Sequence, residues 1–245
     1  MKAFIIHIST NELSVESANK TRESAIKTAG LKDVTLYDGV HKNQTEYLLN
    51  KHKFKILDYE SIWVQHQYFE PALGCFFSHY YLWEHCVELN ERIMVLEHDA
   101  IFHREFVDYE FDGVLNIGEP NQWQINKQKF NFGNIHKQRT QEGIVKKDCD
   151  CEEKKYQYGG CHCINFFLQG AHSYIITPHA SKKLIEKAKT KGILPADCHM
   201  NRENIEIADL FPHCVHANQT FSLIHRDIHD GRSTKIPKGR IAWND

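Results

Sequence analysis

The sequence predicts an α/β sandwich around a mostly parallel sheet, and three observations carry that expectation. Strand and helix patterns alternate from residue 3 onward, the aliphatic run at 93–96 ends in Glu97 and Asp99, and Thr177-Pro178 opens a capped helix behind another aliphatic stretch. With 245 residues the chain can bury a substantial core, and an α/β unit of this size is expected to be one domain.

Ala3-Phe4-Ile5-Ile6-His7-Ile8 reads as the first strand, followed by a helical pattern at about 14–29 that Gly30 ends. Val34-Thr35-Leu36-Tyr37 reads as a second strand opening into Asp38-Gly39, so the chain begins as a βαβ unit. A polar helix near 43–52 and a long aromatic helix near 72–89 precede the strand Ile93-Met94-Val95-Leu96-Glu97. Side chains two apart on a strand share a side, so Glu97 and Asp99 are expected to converge at its carboxyl end, where open α/β sheets place their ligands. Two hard oxygen donors there suit Mg²⁺ or Mn²⁺. The same pair would serve equally to end a strand and cap a turn.

Residues 119–162 are polar, rich in Gln, Asn and Lys, and weakly periodic, which predicts an inserted loop over the site. Thr177-Pro178 supplies a cap and a first-turn Pro for a helix to about 190, closed by Gly192. From Ser222 onward the chain is loop-like and carries Arg226, Arg232, Lys235, Lys238 and Arg240.

A formal net charge of −2, from 30 basic and 32 acidic residues, lacks the global signature of a nucleic-acid or anionic-membrane binder. No apolar stretch reaches the length of a membrane span and no signal-peptide pattern opens the chain, so a cytoplasmic location is expected. Eight cysteines in that setting point to thiols or metal ligands before disulfides. Cys149-Asp150-Cys151 and Cys161-His162-Cys163 flank Gly159-Gly160, so two extended Cys-x-Cys pairs brought together by a tight turn would make a four-thiolate Zn²⁺ site. Four reduced cysteines in a loop is the competing reading. Cys75 and Cys86 sit in an apolar helical segment and read as small core residues.

Gly74-Cys75-Phe76-Phe77-Ser78-His79, then Trp83, then the strand ending Leu96-Glu97-His98-Asp99-Ala100, resembles the pattern of glycosyltransferase family 25, the lipooligosaccharide and collagen galactosyltransferase type. Gly170-Ala171-His172-Ser173-Tyr174-Ile175-Ile176 resembles that family's Gly-x-x-x-Tyr-x-Ile strand, and Leu194-Pro195-Ala196-Asp197 its Pro-x-Asp element. The likeness is best over about 70–230. His98 stands where the family usually has the middle carboxylate of Glu-Asp-Asp, and the usual Asn-Leu with an Arg-rich first turn is missing, with Arg22 as a substitute.

The resemblance implies a GT-A-like nucleotide-diphospho-sugar fold and a hexosyl- or pentosyltransferase using a UDP-linked donor. It implies that Ile8, Arg22, Asp38 and His79 line the donor and that Glu97 and Asp99 hold the divalent cation, with His225 a further candidate ligand. Asp197 becomes the candidate general base, against a helix-capping role; His79 is weighed against a buried, backbone-satisfied histidine, and His225 against a solvated one among seventeen. Three classes stay open: transfer to a saccharide or glycoconjugate, transfer to a hydroxymethylated pyrimidine in DNA with phosphate contacts from the basic C-terminal cluster, and a non-enzymatic zinc-stabilised binding module.

Overall fold

The computed structural model describes residues 1–57, 69–119, 143–146, 168 and 171–218. Strand β1 (Lys2–His7) buries Ala3 to Ile6. Helix α1 (Glu12–Lys27) follows, its first turn capped by the Asn11 side chain, which accepts from Ser14 N at 3.0 Å. Gly30, at φ +75°, lets the chain reverse into β2 (Asp33–Asp38), parallel to β1 in the register Lys2–Asp33 to His7–Asp38. The expected polar helix is a 3₁₀ turn (Lys42–Gln44) running into α2 (Thr45–His52). The expected long helix is α3 (Phe69–Leu89). β3 (Ile93–Glu97) then lies parallel to β1 on the side opposite β2.

Beyond β3 come the ribbon strand β4 (Ala100–Phe102), β5 (Val114–Asn116), β6 (Gly143–Lys146), β7 (Ser173–Ile176), helices α4 (Pro178–Thr190) and α5 (Ala196–His199), β8 (Ile207–Phe211) and β9 (Val215–Ala217). The seven-stranded sheet has the order β2-β1-β3-β7-β5-β8-β6. Its pairings make β1, β2, β3, β5 and β8 run one way and only β7 and β6 the other, so the sheet is mostly parallel as expected. Strand β6 puts part of the polar 119–163 segment on the sheet edge, antiparallel to β8, where the sequence predicts only loop.

Alternation along β3 builds the two layers. Ile93 and Val95 point into a core with Phe76, Phe77, Tyr80 and Trp83 of α3 and Leu184 of α4, while Met94 and Leu96 point into a second core with Ala18 and Ala25 of α1. Helices thus cover both faces, and the carboxyl ends of β1, β2 and β3 share one edge. No described helix is long and apolar enough to cross a membrane.

Candidate active site

At that edge the first two βα connections are tied together. The Asp38 carboxylate accepts from both Ser9 N (2.9 Å) and Ser9 Oγ (2.7 Å). Burial pushes the Asp38 carboxyl up, but the two Ser9 donors and the nearby His7 outweigh it and hold the group below its ordinary range. Ile8 leads this turn, donating from its N to Ser14 Oγ and accepting from Asn11 N, both at 3.0 Å. Ser78 Oγ accepts from Val40 N (2.8 Å) and donates to Gly74 O (2.7 Å), so α3 is stitched to the turn after β2. A Cβ on Gly39 would lie 3.0 Å from both Ile6 Cγ2 and Ser78 Oγ, which leaves room for glycine there.

Glu97 closes β3, but Asp99 does not extend it. Residues 98 and 99 form a turn into β4, so the two carboxylates meet across a strand end and a turn, not as an i, i+2 pair on one strand. The His98 imidazole bears on the charge of both acids. The turn is pinned from three sides. The His98 carbonyl accepts from Ser17 Oγ (2.9 Å) and Thr21 Oγ1 (2.6 Å) of α1, and the Asp99 carbonyl accepts from Asn218 N (2.8 Å) just beyond β9. The Glu97 N–H donates to the His172 carbonyl at 2.8 Å.

Asp99 is buried, and its Oδ1 has no hydrogen-bond partner among the described residues. Burial, and then the Glu97 charge, push its carboxyl well above the ordinary range against the opposing pull of His98. Burial also works to raise Glu97, yet a hydrogen bond from His79 and the charges of His79, His172 and His98 dominate and bring it below the ordinary range. A buried carboxylate oxygen without a donor among the described residues suits a cation, and the groups acting on Asp99's charge are the Glu97 acid, the His98 imidazole and its own backbone N–H, with no Lys or Arg among them. Two carboxylates of this kind fit a hard divalent cation.

On the floor, His79 Nε2 stands 3.4 Å from Glu97 Oε1, and Cys75 Sγ lies 3.6 Å from the same oxygen. His79 Nδ1 is 2.8 Å from Tyr174 Oη, which also accepts from Trp83 Nε1 at 3.0 Å. A chain of bonds therefore runs from Trp83 through Tyr174 and His79 to Glu97. His79 is fully buried, but its partners are side chains and not the backbone. Burial pushes the Cys75 thiol well above its usual value, with the charges of Glu97, Asp197 and Asp99 adding to it; of the three acids, Glu97 is the one in contact with the sulfur. Asp197 sits in the first turn of α5, where its Oδ1 accepts from Cys198 N at 2.9 Å.

The structure thus gathers Glu97 and His79 around Cys75, with the charges of Asp99 and Asp197 acting on the same thiol, and places Ile8 and Asp38 together at the first two turns. Arg22 is exposed on α1, directly after the Thr21 that holds the His98 carbonyl, and none of the described contacts joins it to these residues. His225, the four cysteines Cys149, Cys151, Cys161 and Cys163, and the basic residues from Arg226 to Arg240 lie outside the described residues. Sequence reasoning missed Cys75, which it assigned to the core, although Cys75 and His79 are four apart on one helix and so share a face. It also missed His172, a buried ring whose Nε2 has no hydrogen-bond partner among the described residues and which fits only because residue 118 is glycine; a Cβ there would lie 2.3 Å from that nitrogen.

Residues 13–200 match the sequence profile described as glycosyltransferase family 25 (LPS biosynthesis protein). Similar curated proteins are a glycosyltransferase 25 family member of Aedes aegypti, 29% identical over 130 residues, and one of Anopheles gambiae, 28% identical over 127. Each alignment takes in 51% of this chain but only 18% and 19% of the relative, so the chain spans less than a fifth of their length. Among solved structures, the galactosyltransferase LgtC in complex with donor and acceptor sugar analogs aligns over 97% of this chain and 98% of that one, at 8% identity and a TM-score of 0.43. Mouse xyloside xylosyltransferase 1 aligns over 82% and 80%, at 10% identity and a TM-score of 0.36.

Proposed function

The chain belongs to glycosyltransferase family 25, and from that premise we propose that it moves a sugar from a UDP-linked nucleotide-diphospho-sugar to a hydroxyl of a saccharide or glycoconjugate, with a divalent cation held by Glu97 and Asp99. The observation that carries the cation is the buried, unpartnered Asp99 Oδ1 next to Glu97 at the carboxyl edge of the sheet. Mn²⁺ or Mg²⁺ bound there supplies Lewis-acid neutralisation of the departing diphosphate.

The remaining work falls to the chain's own side chains. Ile8 and the Ser9-braced Asp38 border the nucleotide, their turns fixed by the Ser9 and Ser78 bonds so that the donor meets a preorganised wall. His79, held by Tyr174, keeps Glu97 ionised and aimed. Asp197 takes the acceptor proton, a contribution of about 10²–10⁴-fold for a placed general base. Its support is electrostatic: its charge acts on the same Cys75 thiol that contacts Glu97. The whole chain works as one domain, with 119–163 as an insertion.

The test is turnover of a panel of nucleotide sugars, first as donor hydrolysis and then with saccharide acceptors. Wild type should turn over one donor only with Mn²⁺ or Mg²⁺ present, and Asp197→Asn should lose transfer while still binding that donor. Full turnover in chelator, or undiminished transfer by Asp197→Asn, would overturn the assignment concerned.

A further inference from the structure

The hard-cation pair of Glu97 and Asp99 does not use the Cys75 thiol or the His79 imidazole. Cys75 and His79 lie one helical turn apart on α3 and aim at one oxygen of Glu97, and their donor atoms all fall within 4.8 Å of one another. With metal–donor lengths of about 2.3 Å for thiolate and about 2.0–2.1 Å for nitrogen and oxygen, a tetrahedral centre needs sulfur–oxygen and nitrogen–oxygen separations of about 3.5 and about 3.3 Å. The observed separations are 3.6 and 3.4 Å. Thiolate, imidazole and carboxylate are a borderline-soft set, unlike the all-oxygen pair of Glu97 and Asp99.

We propose that Cys75, His79 and Glu97 form a second metal site that selects Zn²⁺ over Mg²⁺ and Mn²⁺ and shares Glu97 with the first. Charge balances: one thiolate and one carboxylate neutralise the dication, and the thiol proton leaves to solvent on binding. Tyr174 supplies the outer partner. With Nε2 on the metal, His79 Nδ1–H donates to Tyr174 Oη at 2.8 Å, which fixes the tautomer and the ring plane. Because one carboxylate cannot serve both centres in full, Zn²⁺ and Mn²⁺ compete for the pocket. Only that competition rests on the transferase reading; zinc binding by the triad does not.

The experiment uses the reduced full chain, stripped by chelation, and Zn²⁺ alone as the probe. Titration against a chromophoric zinc chelator should show one more tight equivalent in wild type than in Cys75→Ser, whatever other cysteines bind. N-ethylmaleimide labelling of wild type, read peptide by peptide, should show Cys75 protected at least tenfold by saturating Zn²⁺ and unprotected by Mg²⁺. Mn²⁺ binding followed by electron paramagnetic resonance should weaken at lower Zn²⁺ in wild type than in Cys75→Ser. Equal zinc stoichiometry in the two proteins, or Cys75 labelled equally with and without Zn²⁺, would overturn the site; the labelling arm stands even where the variant fails to fold. Loss of Mn²⁺ binding alone would count against the hard-cation pair and leave the triad intact.

Discussion

Helix α3 passes so close to the turn after β2 that a Cβ on Gly74 would lie 2.7 Å from the carbonyl oxygen of Val40. In an exposed helix, Gly→Ala gains about 1 kcal/mol. At this buried contact the partner is backbone and cannot step aside, so Gly74→Ala should instead lose about 1–2 kcal/mol in urea denaturation. Donor binding should fall with it, since Val40 follows Asp38 and Gly39 in the same turn.

Asp99→Asn separates stability from activity. Removing a buried carboxylate that has one oxygen unpartnered and Glu97 beside it should raise stability in chelator by about 1–2 kcal/mol at neutral pH. Transfer and Mn²⁺ affinity should each fall by orders of magnitude. A melt in chelator that drops, with activity kept, would show that the oxygen is not a ligand.

Ser17 and Thr21 position the acidic turn without touching substrate. The double change Ser17→Ala, Thr21→Val removes both donors to the His98 carbonyl. It should cost about 2 kcal/mol at about 1 per bond. The readout that separates positioning from bulk stability is Mn²⁺ affinity, expected to fall about tenfold well below the melting temperature.

His98→Asp should be tolerated. Its carbonyl anchors the turn whatever the side chain, and a third carboxylate beside Glu97 and Asp99 should tighten Mn²⁺ binding in a direct titration while making the metal-free protein less stable.

Burial between Trp83, Phe76 and α4 lowers His199 to about 4, from an ordinary 6.5. Between those values the unfolded chain binds the proton and the folded chain does not. Stability from this group is therefore complete above about pH 6.5 and lost as pH falls toward 4, by up to about 3 kcal/mol. Urea midpoints across that window should drop more steeply in wild type than in His199→Phe.

The first half of the fold was legible because β1 and β3 are continuous aliphatic runs, α1 and α3 carry helical patterns, and Gly30 marks the reversal after α1 in a single residue. The reversal of β7 was not, since Ser173–Ile176 is buried on both faces whichever way it runs. Nor were β4, β5 and β9, at three residues each, long enough to show a period. In the site, Glu97 and Asp99 were found as a pair, but the turn between them depends on hydroxyls from α1 that sequence distance hides. Cys75 was lost because a small thiol among aromatics looks like packing until the partner 22 residues away is seen.

The bond from Asn218 N to the Asp99 carbonyl has a consequence for biosynthesis. The acidic turn leans on α1 early in the chain, on His172 next to β7, and on a segment that follows β9, so its supports are translated from one end of the described fold to the other. Domains emerging from the ribosome fold as units, and contacts this far apart close late. A nascent chain halted before residue 218 holds its first βαβ unit but lacks this support of the acidic turn, so the metal binding proposed for that turn should arrive only after that residue has cleared the exit tunnel.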